Sequence, residues 1–263
     1  MLSQENLVPA LPDGTLALTF DDGPGPHSLP IGHFLHEQGI RATFFVVGRS
    51  IRETPKILSE LQALGHAIGN HTDTHPRLPL LDTAEAVKRE VAETHRLIEA
   101  SGCQPPHLLR APYGYWTAGL AAILNTDPEL SRYSGPFGWS VENLDYRIGL
   151  PRDPKVMDSP IHTFESCCES YLKQVREKRQ GVVLIHDWAA DPEPKLRKQL
   201  RAGNRSLEIT RWLIPRIKSD FKFVRLDELP APTARFAPAA APPLPAPAIQ
   251  PGQAWANLAR LPT

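Results

Sequence analysis

The chain has 263 residues, and its 29 lysines plus arginines equal its 29 aspartates plus glutamates. Nothing in that balance argues for a nucleic-acid or anionic-membrane binder, and no apolar run approaches the roughly 20 residues that span a bilayer. The length suits one large domain, or one domain with an appendage.

Residues 1–14, MLSQENLVPALPDG, read as a lead-in with neither a basic n-region nor an apolar h-region. No signal peptide is visible, so either the protein stays in the cytoplasm or a leader has been removed. Beyond it, short apolar runs alternate with longer amphipathic ones. Leu16–Phe20, Ala42–Val47, Ala67–Asn70, His107–Arg110, Phe137–Val141, Val182–His186 and Phe221–Leu226 read as strands. Thr54–Leu64 places Ile57, Leu58, Leu61 and Leu64 at helical spacing. Asp82-Thr-Ala-Glu85 reads as a capping box opening a helix to about Ala100, closed by Gly102. Glu165–Lys178 and Leu207–Ile217 read as further helices. Repeated strand–helix units predict a parallel α/β architecture, open or closed into a barrel, for residues 15–229.

Tyr146–Thr163, with Pro151, Pro154 and Pro160, reads as a long loop near the mouth of a site. Nine of the 28 prolines fall in residues 230–263, mixed with alanine, which favours an extended, disordered tail over a packed core. Within it, Trp255–Leu261 is a short stretch able to dock, but it reads as mobile. Cys103, Cys167 and Cys168 have neither disulfide-framework nor zinc-ligand spacing and read as free thiols.

In parallel α/β folds ligands bind beyond the carboxyl ends of the strands, and the chemically informative residues fall there. Asp21 and Asp22 end the first apolar run. Adjacent side chains at a strand end diverge, so one carboxylate can bind a metal while the other stays free to act as a base, although Asp before Gly-Pro is also a common turn start. His71 and His75, four residues apart, reach one point from a helical turn or a tight loop. With Asp22 they form a two-histidine, one-carboxylate set that leaves open positions on a divalent ion; zinc fits, as do iron, cobalt or nickel. His66 and His95 read as surface or satisfied core histidines.

Arg110, held extended by the Ala111-Pro112 step, can pin a carboxylate. His186 ends a buried strand and is a natural proton donor, although a third metal ligand or a structural role also fits. Leu184 faces the same way as His186 and can wall a small apolar pocket. Trp139, Glu142, Asp145 and Tyr146 add two aromatics and two acids after another strand. An acid beside His186 raises its pKa, and the aromatic faces suit sugar rings.

These blocks, in this order, resemble the NodB-homology polysaccharide deacetylases, carbohydrate esterase family four, across roughly residues 15–229. The resemblance implies a distorted (β/α) barrel of seven or eight strands. It implies Asp21 as base, Asp22, His71 and His75 as metal ligands, and Arg110 as the group orienting the base. It further implies the Tyr113 backbone N–H at the oxyanion, Asp145 tuning the acid His186, and Leu184 lining the acetyl pocket. Tyr113, Trp139, Leu184 and Tyr146 are the expected substrate contacts. The expected reaction is metal-dependent removal of N-acetyl groups from a GlcNAc-containing polysaccharide, peptidoglycan or chitin-like, with zinc the first choice and cobalt or nickel alternatives. O-acetyl ester hydrolysis on acetylated xylan, or carbohydrate binding without catalysis, are the alternatives. The resemblance favours action outside the cytoplasm, and the tail is a candidate surface tether. Two positions depart from the family pattern: Glu142 stands where aspartate is usual, and Tyr146 where tryptophan is frequent. Tyr146–Thr163 and Asp191–Ser206 are longer than typical.

Overall fold

Runs rich in β-branched and aromatic residues become five parallel strands: β1 (Thr15–Asp21), β2 (Thr43–Val46), β3 (Ala67–Asn70), β4 (Gln180–His186) and β5 (Lys222–Phe223). In this computed structural model, which describes residues 1–104, 107–148, 150 and 162–229, they form one sheet ordered β3-β2-β1-β4, with β5 beside the start of β1. Asp21 stands opposite Phe45 on one side and His186 on the other. The carboxyl ends of β1, β2 and β4 are therefore nearly level.

Backbone bridges carry the pairing past both sheet edges. Asn70 bridges Leu109, Leu108 bridges Ser134, and Val141 bridges Val183. These contacts close the sheet into a distorted (β/α) barrel. The segments expected as full strands, His107–Arg110 and Phe137–Val141, thus join as bridged staves and not as regular strands. Pro136 has no N–H to give a ladder, and the Phe137 and Gly138 carbonyls accept from the Arg110 side chain instead. The expected strand Phe221–Leu226 shortens to the β5 pair, since Leu226 already opens a 3-10 turn.

Eight helices surround the staves among the described residues: α1 (Ser28–Glu37), α2 (Gly48–Glu53), α3 (Ile57–Ala63), α4 (Ala84–Ala100), α5 (Ala118–Asn125), α6 (Phe164–Lys178), α7 (Pro194–Gly203) and α8 (Ser206–Ile217). Helices α6 and α8 lie within one residue of their expected bounds. The helix expected from Thr54 starts only at Ile57, because Thr54 precedes Pro55 and is pushed out of the helical region (φ −146°, ψ 62°). The cap of α4 lies one residue later than the Asp82 box: the Thr83 hydroxyl accepts the Ala86 N–H at 3.1 Å. Gly102 ends that helix at φ 77°. Helices α1, α2, α5 and α7 have no counterpart in the sequence reading. None of the helices among the described residues is long and apolar enough to cross a membrane.

Side-chain alternation sorts the strands into two faces. Leu16, Leu18, Phe20, Phe44, Val46, Val183 and Ile185 pack outward under the helices. Ala17, Phe45, Ala67, Leu108, Phe137 and Val182 pack inward, where Leu7, Leu11 and Leu226 join them. The first residues are thus part of the barrel: Ser3 N–H donates to the Gly135 carbonyl at 2.8 Å and Leu7 bridges Phe137. Cys103, Cys167 and Cys168 are buried and free. Most of the Tyr146–Thr163 loop, and the whole tail with Trp255–Leu261, lie outside the described residues.

Thr83→Ala should lower stability by about 0.5–2 kcal/mol by orphaning an N-terminal amide of α4. Asp82→Ala should change little, and urea unfolding of the two variants separates the caps.

Candidate active site

Asp21 is the last residue of β1 and points into the barrel, buried at 2 % exposure. Asp22 follows at φ 75°, a left-handed conformation that turns its side chain away from that of Asp21. Beyond β3 the chain turns through Thr72 (φ 68°) and His75 (φ 61°), so His71–His75 is a tight loop, not a helical turn. Glu90 on α4 holds that loop: its carboxylate accepts the Asp73 N–H at 3.0 Å, and the Thr74 N–H and hydroxyl at 2.8 Å each. Arg49 on α2 donates to the Thr74 and Ala190 carbonyls at 3.3 and 2.5 Å, fastening the loop to the segment after β4. Asp22, Thr72, His75 and Tyr113 are four of the five non-glycine residues with positive φ among the described residues. Backbone held this way costs about 1–3 kcal/mol per residue and persists only where its surroundings over-determine it.

Arg110 is fully buried. Its guanidinium donates to Asp21 Oδ1 and Thr19 Oγ1 at 2.8 Å each, and to the Phe137 and Gly138 carbonyls at 2.9 and 3.2 Å. Its Cζ lies 4.3 Å from the Phe45 ring centroid. Burial lowers the pKa of this group, and the Asp21 carboxylate opposes that shift.

His71 Nε2 and His75 Nε2 converge on Asp22 Oδ1, at 3.6 and 3.2 Å. Ligands about 2.0–2.1 Å from a tetrahedral zinc stand about 3.3 Å apart. His71 Nδ1 bonds the Arg110 carbonyl at 2.8 Å, which puts the proton on Nδ1 and leaves Nε2 a free lone pair. Asp22 Oδ1 is buried with no hydrogen-bond partner, whereas Oδ2 accepts the Ala190 N–H at 3.2 Å. Burial holds His71 down to about 4 and His75 to about 3, so both rings are neutral, and burial raises Asp22. Two neutral imidazoles and a carboxylate oxygen lacking a donor are the complement of a divalent cation, and the residues present fit one.

Across the cleft, the Asp145 carboxylate accepts both the His186 backbone N–H and its ring Nδ1–H at 2.8 Å. Burial opposes charge on this ring, but Asp145, with Asp22 and Asp21 behind it, outweighs burial and pushes His186 up to about 10. The next residue, Asp187, faces away: it takes the Ser28 hydroxyl, and burial raises it to about 7. Between these groups opens a cavity of about 310 Å³, walled by Tyr113, Trp139, Tyr146 and Leu184. Tyr146 stands edge-on to His186 with ring centroids 5.1 Å apart.

A family profile described as polysaccharide deacetylase matches residues 9–127. A chitooligosaccharide deacetylase of Rhizobium leguminosarum bv. trifolii is 36% identical over 213 residues, 79% of this chain and 87% of its own. The chain belongs to the polysaccharide deacetylase family. A peptidoglycan-N-acetylglucosamine deacetylase of Bacillus cereus is 30% identical over 65% of this chain and 58% of its own length. Among solved structures, a complex described as T48 deacetylase with substrate superposes with a TM-score of 0.59 at 26% identity, over 82% of this chain and 89% of that one. The named relatives are hydrolases of a carbon–nitrogen bond, and this deacetylase is an enzyme of that class.

The deacetylase cleft brings together the residues singled out by sequence. Asp21, Asp22, His71, His75, Tyr113, Trp139, Tyr146, Leu184 and His186 line it, with Arg110 and Asp145 directly behind Asp21 and His186. His66 is a core residue, accepting the Ala42 N–H and bonding the Gly32 carbonyl. His95 is buried on the far side of β3, with Nδ1 bonded to the Tyr133 hydroxyl and Nε2 3.4 Å from Glu99 Oε1 without a formed hydrogen bond.

Tyr115, Asp191 and Leu200 also line the cleft but escape sequence reading. Tyr115 stacks with Tyr113, and Arg77 lies 5.5 and 5.7 Å from their two rings. The Tyr-Gly-Tyr-Trp cluster after Arg110 was the available signal. Leu200 sits on α7, inside the Asp191–Ser206 segment, where two leucines among charged residues give too little signal.

Arg110→Met should destabilise the fold by about 3–5 kcal/mol, since it strands Asp21 as a buried unpaired carboxylate. Arg110→Met combined with Asp21→Asn should recover part of that loss in thermal unfolding.

Proposed function

We propose that this chain removes N-acetyl groups from a GlcNAc-containing polysaccharide, chitin-like or peptidoglycan, and releases acetate. The observation that carries the reading is the unequal treatment of two adjacent carboxylates. Asp22 Oδ1 is left without a donor beside two neutral histidines, while Asp21 Oδ1 is pinned by Arg110. Asp22, His71 and His75 would hold the cation, zinc in the first instance. When bound, a cation of this kind supplies an acidified water and a Lewis-acid contact for developing negative charge.

The remaining roles belong to side chains and one amide. Arg110 fixes the Asp21 carboxylate so that Oδ2, 3.6 Å from His71 Nε2, faces the cleft as the general base. The Tyr113 backbone N–H is offered to the oxyanion, a donor worth about 3–4 kcal/mol. Leu184 bounds the acetyl methyl, and Trp139 and Tyr146 contact the sugar. His186 protonates the leaving nitrogen as the carbon–nitrogen bond breaks and the water oxygen stays on the acyl carbon. An amine leaves only when protonated, and an imidazole held charged well above neutral pH suits that demand. An acid and a base whose environments push them apart are what this chemistry requires. Action on a cell-wall polymer would put the reaction outside the cytoplasm.

Acetate release from chitin oligomers or peptidoglycan should require metal: a chelator abolishes it and added zinc or cobalt restores it. Release from acetylated xylan alone would overturn the N-acetyl assignment. Asp21→Asn should keep the cation yet lose about 10²–10⁴-fold in turnover, and unchanged turnover removes Asp21 from the base role.

The rate should fall as pH rises through the His186 pKa, because the protonated ring is the active form. Asp145→Asn removes the charge that raises this pKa, so the alkaline limb should move to lower pH by about 1–3 units. A limb that stays in place in the kcat/KM profile would detach the His186–Asp145 pair from the acid step.

A further inference from the structure

A second set of metal-ligand side chains lies behind β3, away from the cleft. Strand alternation turns Asn70 outward toward α4, while its neighbour His71 turns toward the cleft. On α4, His95 and Glu99 are one turn apart. His95 is 2 % exposed. Its Nδ1 bonds the Tyr133 hydroxyl at 3.0 Å, and that hydroxyl also accepts from Asn70 Nδ2 at 3.0 Å. Its Nε2 is buried and has no hydrogen-bond partner. Yet Nε2 lies close to two carboxylates, 3.4 Å from Glu99 Oε1 and 3.5 Å from Glu129 Oε1, without hydrogen-bond geometry to either. The His107 ring lies 5.2 Å away by centroid. One ligand atom from each of His95, Glu99 and His107 falls within 4.8 Å of the others. A cavity of about 120 Å³ opens beside them.

The two oxygen distances lie close to the ligand–ligand edge of about 3.3 Å around a tetrahedral zinc. We propose that His95, Glu99 and His107 form a second divalent-cation site, separate from the deacetylase cleft, with the half-exposed Glu129 side chain, 3.5 Å from His95 Nε2, free to rotate in as a fourth ligand. Two imidazoles with two carboxylates favour zinc over calcium, which demands six or more oxygen ligands. With Glu129 rotated in, four protein ligands would make this a closed, structural site and not a catalytic one. Burial, and then Arg132, lower the pKa of His107, in the direction a cation ligand needs. Placing the His95 proton on Nδ1, donated to the Tyr133 oxygen, frees Nε2 for the ion. The ion would join α4 to the segment carrying Glu129 and to the start of the stave that ends at Arg110.

The competing arrangement is a plain imidazole–carboxylate pair, with a proton on Nε2 shared by Glu99 and Glu129. Zinc titration of the apoprotein against a chromophoric chelator, with metal content counted after gel filtration, separates the two. Wild-type protein should bind two equivalents. His71→Ala with His75→Ala should retain one. Glu99→Gln with His107→Gln should also retain one, the cleft equivalent, with affinity for the second falling at least tenfold and acetate release retained. Glu99 is exposed and His107 only half-buried, so this pair spares the core, and equal melting temperatures without metal verify that the variant folds. Zinc should raise the melting temperature of the His71→Ala, His75→Ala protein and not that of the fourfold variant.

A wild-type stoichiometry of one equivalent, lost with His71→Ala and His75→Ala, would overturn the site, as would a Glu99→Gln, His107→Gln protein that titrates like wild type. Should the cleft bind no zinc while the Glu99 and His107 substitutions still remove an equivalent, the second site stands and the proposed deacetylase metal fails.

Discussion

A guanidinium with no access to water sits in the middle of this barrel, and the fold and the cleft both depend on how Arg110 is satisfied. Removing such an ion from water costs several kcal/mol even after relaxation. The cost is offset only if acceptors meet it on every side. Arg110 finds them on two staves, at Thr19 and Asp21 on β1 and at the carbonyls of Phe137 and Gly138. Thr19 passes the contact to β4 by donating to the Val183 carbonyl at 2.7 Å. One side chain thus ties the stave it leaves to three others. It also sets the orientation of Asp21, so stability and chemistry draw on the same contacts.

The cleft is built by strand ends, and its selectivity between two similar carboxylates comes from backbone conformation. Asp21 keeps extended geometry and meets Arg110. Asp22, one residue on, adopts φ 75° and meets the histidines. The histidine loop is strained in the same manner, at Thr72 and His75, and Glu90 and Arg49 hold it from outside. Those two residues touch no reacting group, yet their contacts keep two imidazoles at one point. Electrostatics then divide the cleft. The histidine pair is dry and neutral, whereas His186 is kept charged by Asp145 despite its burial.

Most of the cleft is legible in the sequence because the signals are local. An Asp pair before Gly-Pro, two histidines four apart, Arg before Ala-Pro and a buried run ending in His each mark a strand end. The core strands β1, β2, β3 and β4 are legible for the same reason, as short apolar runs between turn residues. What the sequence hides is non-local. The inward carbonyls of Phe137 and Gly138 serve Arg110, so an apparent strand becomes a bridged stave. Helix α7 is polar along most of its length, and its apolar face is only the pair Leu196 and Leu200, too short a stripe to mark a helix, although Leu200 reaches the cleft wall. Helix α1 carries Pro30 in its first turn, and α2 is only six residues long. Their packing, not their propensity, makes them helical. His95 is another such case: on a helix face it reads as core or solvated, and only the fold reveals that one ring nitrogen lacks a partner.

At the end of β3 a chain of hydrogen bonds connects the two faces of one stave. Asn70 Nδ2 donates to Tyr133 and to the Val91 carbonyl, and Asn70 Oδ1 accepts the Thr72 N–H at 2.9 Å. Thr72 holds a left-handed conformation in the loop that presents His71 and His75. Whatever fixes the Tyr133 oxygen as an acceptor also fixes the Asn70 amide in the orientation this turn needs. A proton on His95 Nδ1, which a cation at Nε2 would enforce, does that by adding a second donor to the same oxygen. The loop would then be ordered from behind by a group that never meets substrate. Coupling of this kind is reciprocal in binding free energy, so order imposed on the histidine loop from the cleft would be felt in turn at His95, through the single Tyr133 hydroxyl that separates them.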